Sequence, residues 1–274
     1  MYENLYKHKL GRILASLIAR PGISRAAGCF MDSRLSRPFI KPFIRKNSID
    51  MRQAAPAEYA SFNDFFTRRL VDGARPFDER KSALPSPCDG LLTVYPASRD
   101  GVFTVKGSPY TLETLLENPK LCESFEGGWM FVFRLTPSHY HRYAFPDNGK
   151  IIETRMIPGV FHTVRPQALE NIPVFKTNTR EYAVLDTENF GRMIYMEVGA
   201  TMVGRIKNDV KTGAFTRGQE KGRFEFGGST VILISEKGKC TPLAEMIKDT
   251  ENGLEHPVLM GQAVACALHN GENK

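Results

Sequence analysis

From Gly90 to Ile234 the chain repeats one pattern: a short run of β-branched and aromatic residues, then a glycine or proline, then another such run. The runs are Gly90–Tyr95, Val102–Val105, Trp129–Leu135, Lys150–Met156, Tyr182–Asp186, Met193–Val198, Met202–Ile206 and Val231–Ile234. Each has the length and residue types of a β-strand. A single helical interval, Thr111 to about Asn118, interrupts them. Many short strands with few helices between them predict an α+β fold, a mostly antiparallel β body, with helices gathered at the N-terminal end.

The last run carries a special approach: Gly222-Arg223-Phe224-Glu225-Phe226-Gly227-Gly228-Ser229-Thr230 leads into Val231-Ile232-Leu233-Ile234. Two glycines let the backbone turn freely, and the strand behind them holds the turn rigidly. Ser229 is therefore a nucleophile candidate. The competing reading is an ordinary Gly-Gly hairpin entering a core strand.

With 274 residues, 42% of them apolar, the chain has ample material for a core. Its net charge of +7 is concentrated at one end. Residues 1–50 hold ten Lys or Arg against Glu3, Asp32 and Asp50, so that segment accounts for the whole excess. A basic segment on a neutral body points to an anionic partner surface, a membrane or a nucleic acid. The five cysteines are scattered without a Cys-x-x-Cys pair, which argues for a reducing compartment and against a zinc site. No apolar run reaches the roughly 20 residues of a membrane-spanning helix. The run Ile13–Ala19 leads into Arg20-Pro21-Gly22 without a secretory cleavage pattern.

Apolar side chains at Tyr6, Leu10, Ile13, Leu14, Leu17 and Ile18 recur at helical spacing, predicting an amphipathic helix over Leu5–Ala19 stopped by Pro21-Gly22. A second basic stretch, Arg34–Lys46, interleaves Leu35, Phe39, Ile40, Phe43 and Ile44 with Arg and Lys. That mixture suits the headgroup boundary of an anionic bilayer better than nucleic acid. A helix packed on its own domain with a solvated basic face is the alternative. The segment 1–56 therefore reads as a basic, membrane-associating helical unit ahead of a body spanning 57–274. Ser61 caps a predicted helix that buries Phe65, Phe66 and Leu70 and ends by Arg75-Pro76.

Three further segments could carry chemistry. Asp89 sits in Pro87-Cys88-Asp89-Gly90, just before a strand, where Asp-Gly also serves as a plain turn former. His139 and His141, two residues apart, point the same way in an extended chain; no other His or Cys cluster completes a metal site, so none is expected. His162 lies in a third such segment, Gly159–Val164. Asp89, His141 and Ser229 together could form an acid, base and nucleophile set in which Asp orients His and His takes the hydroxyl proton. The Gly-x-Ser-x-Gly elbow and strand–helix alternation of the α/β-hydrolases are missing.

In chain order, Ser61-Phe62-Asn63-Asp64-Phe65-Phe66-Thr67-Arg68, Ala74-Arg75-Pro76, Pro87-Cys88-Asp89-Gly90, Val105-Lys106-Gly107, Tyr140-His141-Arg142, Gly199-Ala200-Thr201-Met202-Val203-Gly204, and Gly222-Arg223-Phe224 running to Gly228-Ser229-Thr230 resemble the phosphatidylserine decarboxylases. The likeness runs from about residue 60 to 235, and the order of the motifs makes it specific. It implies a proenzyme that cleaves itself between Gly228 and Ser229, with Asp89, His141 and Ser229 as catalytic residues. The products would be a β chain, 1–228, and an α chain, 229–274, held as a heterodimer. Ser229 would become a covalent pyruvoyl group, the cofactor on which phosphatidylserine loses carbon dioxide to give phosphatidylethanolamine. The resemblance also implies peripheral attachment to the cytoplasmic side of the cell membrane through residues 1–50, allows a homodimer, and involves no nucleic acid. Many members carry a second His three residues after the one in Tyr-His-Arg. This chain has Ala144 there, and His162 is the residue expected to share the proton-handling work. A non-catalytic lipid-binding protein of the same fold is the alternative.

Overall fold

A computed structural model describes residues 21–98, 103–105, 108–160, 174–199, 205–226 and 229–268. Helix α1 (Pro21–Asp32), a 3-10 turn (Arg34–Phe39), α2 (Ile40–Asn47) and α3 (Phe62–Phe66) open the chain. Strands β1 (Ala83–Pro85), β2 (Gly90–Pro96), β3 (Phe103–Val105) and β4 (Ser108–Tyr110) lead to α4 (Leu112–Leu116) and α5 (Pro119–Phe125). Then come β5 (Trp129–Leu135), β6 (Arg142–Ala144), β7 (Gly149–Ile157), α6 (Val174–Thr177), β8 (Arg180–Thr187) and β9 (Gly191–Gly199). The chain continues through β10 (Ile206–Asn208), β11 (Gly213–Phe215), β12 (Glu220–Phe224), β13 (Ser229–Ser235), β14 (Cys240–Pro242), α7 (Ala244–Glu251), β15 (His256–Val258) and β16 (Ala263–Ala267).

An eight-stranded sheet in the order β11-β7-β8-β9-β13-β5-β2-β15 forms the spine, and all its described pairings are antiparallel. The fold is α+β, as expected. Strand β13 lies near the middle and is buried at every position. Its alternating side chains supply both cores: Ile232 and Ile234 enter one apolar cluster, Val231 and Leu233 the other. A strand covered on both faces must be apolar throughout, which is why Val231–Ile234 has no polar alternation. The second cluster is roofed by a small sheet, β10-β12-β6, through Tyr143, Phe224 and Ile206.

The predicted strands that fall within the described residues are present with slightly shifted ends. Of Met202–Ile206, only its last two residues are described, and a strand follows at β10. The predicted Thr111–Asn118 helix is α4, capped by Thr111 and closed by Glu117 in a left-handed conformation; Asn118 then caps α5, which was not anticipated. Two boundaries need correction. Pro21 and Gly22, expected to break helical structure, are themselves helical within α1. Helix α3 ends at Phe66, well before Arg75-Pro76, because Leu70 leaves the helix to bridge Ala54. The predicted helix Leu5–Ala19 lies outside the described residues.

Helices α2 and α3 share a third core of Ile40, Ile49, Phe62, Phe65 and Phe66, with Phe43, Ile44 and Phe226 packed against it. The Phe226 ring comes from the chain just ahead of β13 and meets Phe62 edge-on, with centroids 4.7 Å apart. The N-terminal helices are thereby locked to the segment that precedes Ser229.

Candidate active site

Strand register brings distant residues into one row at one end of the large sheet. Ser229 pairs with Gly199 on one side and Leu135 on the other. Leu91 pairs with Arg134, so Gly90 stands beside Leu135, and Gly90 pairs with Val258. Asp89 therefore sits just beyond this row, two strands from Ser229. At about 4.8 Å per strand the backbones are about 10 Å apart, too far for the Asp89 carboxylate to meet the Ser229 hydroxyl without a group between them.

Ser229 is fully buried and, two residues before Val231, projects to the side covered by the small sheet. Its Oγ has no hydrogen-bond partner among the described residues. His141 is also fully buried. Phe224 donates its N–H to the His141 carbonyl at 2.9 Å, continuing the β6–β12 ladder and setting His141 on the same side as Tyr143, toward the large sheet. The His141 Nδ1 lies 2.9 Å from the His139 carbonyl oxygen, which can only accept, so the proton is on Nδ1 and Nε2 carries the lone pair. That Nε2 is buried and likewise has no partner among the described residues. Burial, reinforced by the proximity of His139 and Arg68, pushes the His141 pKa well below the ordinary histidine value. The Phe66 ring lies against the imidazole, centroids 4.0 Å apart. The result is a neutral imidazole with a free basic nitrogen and, on the facing layer, a buried hydroxyl without a partner.

Asp89 does not orient His141, contrary to the expectation from sequence. Its two oxygens take a bidentate pair of bonds from Arg75, at 2.7 and 2.6 Å, and Met260 N–H adds a third at 2.9 Å. A guanidinium fork satisfies a buried carboxylate more completely than one imidazole N–H, and His141 finds an acceptor two residues back in its own chain. Bonding to Asp89 raises the Arg75 pKa further. The charge of Asp89 acts instead on His139, opposing the burial that lowers that imidazole's pKa.

His139 does not share a ligand site with His141. Its Nδ1 accepts the Thr136 N–H at 3.0 Å while its own N–H donates to the Thr136 carbonyl, closing the turn after β5. Among the described residues no group of three potential ligands could hold a metal ion. Ala144 occupies a buried position in β6, and its carbonyl accepts the Tyr195 hydroxyl. Gly227, Gly228 and His162 lie outside the described residues. Sequence alone gives Arg75 and Asn63 no role at the site, places Phe66 only in a buried helix stripe, and pairs His139 with His141 without the work it does here. Arg75 and Asn63 sit in motifs already noted, but nothing local shows which distant group each one holds.

A family model described as phosphatidylserine decarboxylase matches residues 62–266, a span that opens on the first residue of α3 and contains Asp89, His141 and Ser229. The chain belongs to the phosphatidylserine decarboxylase family. Members of this family are carboxy-lyases. Among the relatives, phosphatidylserine decarboxylase proenzyme 2 of Clostridium acetobutylicum is 40% identical over 261 residues, covering 95% of this chain and 89% of its own. The proenzyme of Ruminiclostridium cellulolyticum is 40% identical over 270 residues, 96% of this chain and 90% of the relative. That of Chlamydia trachomatis is 37% identical over 262 residues, 93% and 87% respectively. All three names carry the word proenzyme, which denotes a precursor.

Proposed function

We propose that this chain decarboxylates phosphatidylserine to phosphatidylethanolamine, using a pyruvoyl group that it makes by cutting its own Gly228–Ser229 bond. The observation that carries this reading is a pair of buried atoms on facing layers, His141 Nε2 and Ser229 Oγ, that have no hydrogen-bond partner among the described residues. An unsatisfied buried polar atom is destabilising by about 1–3 kcal/mol, so a basic nitrogen and a hydroxyl left so on facing layers call for a functional reason.

His141, held by the His139 carbonyl, takes the Ser229 proton at Nε2, and Oγ attacks the Gly228 carbonyl carbon. The amide nitrogen leaves with the proton from the imidazolium, and an ester joins the two fragments. Removal of the Ser229 Cα proton then breaks the Cβ–O bond, freeing the Gly228 carboxylate. Water converts the resulting dehydroalanine to the ketone, and ammonia departs. Pairing of β13 with Leu135 and Gly199 would hold the group at position 229. When present, its ketone supplies the electron sink for loss of carbon dioxide. Asp89 contributes by its charge on His139, and His162 serves as the second proton-handling group.

The helical unit supports attachment to an anionic lipid surface at the cytoplasmic side of the membrane. Ile40, Phe43 and Ile44 pack inward, whereas Phe30, Leu35 and Phe39 are exposed beside exposed Arg34, Arg37, Lys41, Arg45 and Lys46. A face packed on the body and an outward face that mixes apolar with basic side chains support this reading. No helix among the described residues is long and apolar enough to cross a membrane.

Intact mass spectrometry of the purified protein tests the proposal. Two species are expected, residues 1–228 and residues 229–274, the second with a blocked N-terminus. Ser229→Ala should yield one uncut, inactive chain; normal processing of that variant, or a wild-type chain that stays whole, overturns it.

A further inference from the structure

We infer that Asn63, on α3, is a positioning residue for self-cleavage: it pins the chain immediately ahead of the scissile pair while its helix also holds the base. This rests on the cleavage reading above. The Asn63 side chain is buried, and its Oδ1 accepts the Phe226 N–H at 2.9 Å. Its Nδ2 donates to Asp32 Oδ1 at 2.7 Å, which fixes the amide's orientation, and Asp32 Oδ2 accepts from Arg205 at 2.5 Å. The same turn of helix presents Phe66, whose ring contacts both the His141 imidazole and, at 5.2 Å between centroids, the Phe226 ring. The helix is itself anchored: Ser61 caps it, Ser36 Oγ accepts the Phe62 N–H, and the Thr67 carbonyl accepts from Arg142 of β6.

Phe226 and Ser229 are three residues apart, so the chain between two fixed points spans at most about 11 Å. Ser229 is fixed by the ladders of β13 and Phe226 by Asn63. The preceding residue, Glu225, is tied to Arg205 and Lys207. Phe226 and Ser229, the described residues on either side of the scissile pair, are thus both pinned, and α3 supplies the common reference for the approaching chain and the base. Misplacement by about 1 Å is enough to slow an oriented reaction on the order of 100-fold.

The test follows freshly synthesised full-length chain as it converts to fragments 1–228 and 229–274, at a temperature where circular dichroism shows each variant folded. Asn63→Ala loses both bonds and should slow conversion by about tenfold to 100-fold. Asn63→Asp keeps the acceptor for Phe226 but sets a carboxylate against Asp32, and should also be slow. Adding Asp32→Asn reverses donor and acceptor between the two side chains and leaves an oxygen for Arg205. That double variant should recover conversion to within about threefold of wild type, because the coupled pair is restored. Decarboxylation per cleaved molecule should be unchanged in all of them, whereas a general loosening of the fold would reduce it too. If Asn63→Ala fails to fold, the comparison of Asn63→Asp with the double variant decides. Cleavage of Asn63→Asp at the wild-type rate, or no recovery in the double variant, overturns the inference while leaving self-cleavage intact. A wild-type chain that never cuts removes the cleavage reading itself.

Discussion

The bidentate contact between Arg75 and Asp89 makes a sharp prediction about what holds the site's carboxylate. Both side chains are largely buried, at 11% and 3% exposure. Removing one member of such a pair strands the other charge and is destabilising by about 3–5 kcal/mol, a large part of a total stability of about 5–15 kcal/mol. In Arg75→Ala, Asp89 retains only the Met260 N–H. The other bonds lost, from Arg75 Nη1 to Gln53 at 2.8 Å and to the Ala74 carbonyl at 2.7 Å, are more exposed or local and add little. Replacing Asp89 by Asn in the same chain removes the stranded charge and keeps an acceptor for Met260, so it should restore about 2 kcal/mol. The measurement is urea unfolding in a Ser229→Ala background, where the chain is uncut, followed by the fluorescence of Trp129, the only tryptophan. An unchanged midpoint for Arg75→Ala would refute the reasoning. So would a further loss on adding Asp89→Asn, since that would show Asp89 working through another partner, such as His141.

Two further outcomes follow from the geometry. Because burial depresses the folded-state pKa of His141, the native chain resists binding a proton there that the unfolded chain accepts near 6.5. That contribution to stability is complete above pH 6.5 and is lost as pH falls, by about 1.4 kcal/mol per pH unit while the native imidazole stays neutral. His141→Asn in the uncut background should therefore flatten the loss of stability between pH 6.5 and 5; an unaltered acid slope would exclude His141 as the buried group responsible. On the lipid face, charge reversal at Arg34, Arg37 and Lys41 should weaken binding to phosphatidylserine vesicles by about 1 kcal/mol per lost positive charge, with the effect shrinking at high salt. Sedimentation of the triple variant with vesicles as fully as wild type would place the anchor elsewhere.

Most of the strand framework was legible because its signal is local. A run such as Trp129–Leu135 or Met193–Val198 shows its strand character in its own side chains. The basic stretch Arg34–Lys46 likewise displayed both its apolar and charged members, although not which of them turn inward. The C-terminal helix α7 and strands β14 to β16 were missed, as their short segments carry little periodicity and are stabilised by packing on β1 and β2. The candidate site divides in the same way. Ser229 after Gly-Gly, His141 in Tyr-His-Arg and Asp89 in Cys-Asp-Gly are visible as motifs, whereas the link from Arg75 to Asp89 crosses 14 positions and that from Asn63 to Phe226 crosses 163.

The amino-acid order by itself determined the mostly antiparallel strand content, the basic N-terminal end and the candidate chemistry, because residue type, spacing and turn residues act over a few positions. Only the tertiary structure decided that His141 leans on the His139 carbonyl, that Arg75 claims Asp89, and that α3 grips the chain before Ser229. Those choices depend on which polar groups meet when layers close and water is excluded, and burial makes each buried group take the best partner within reach.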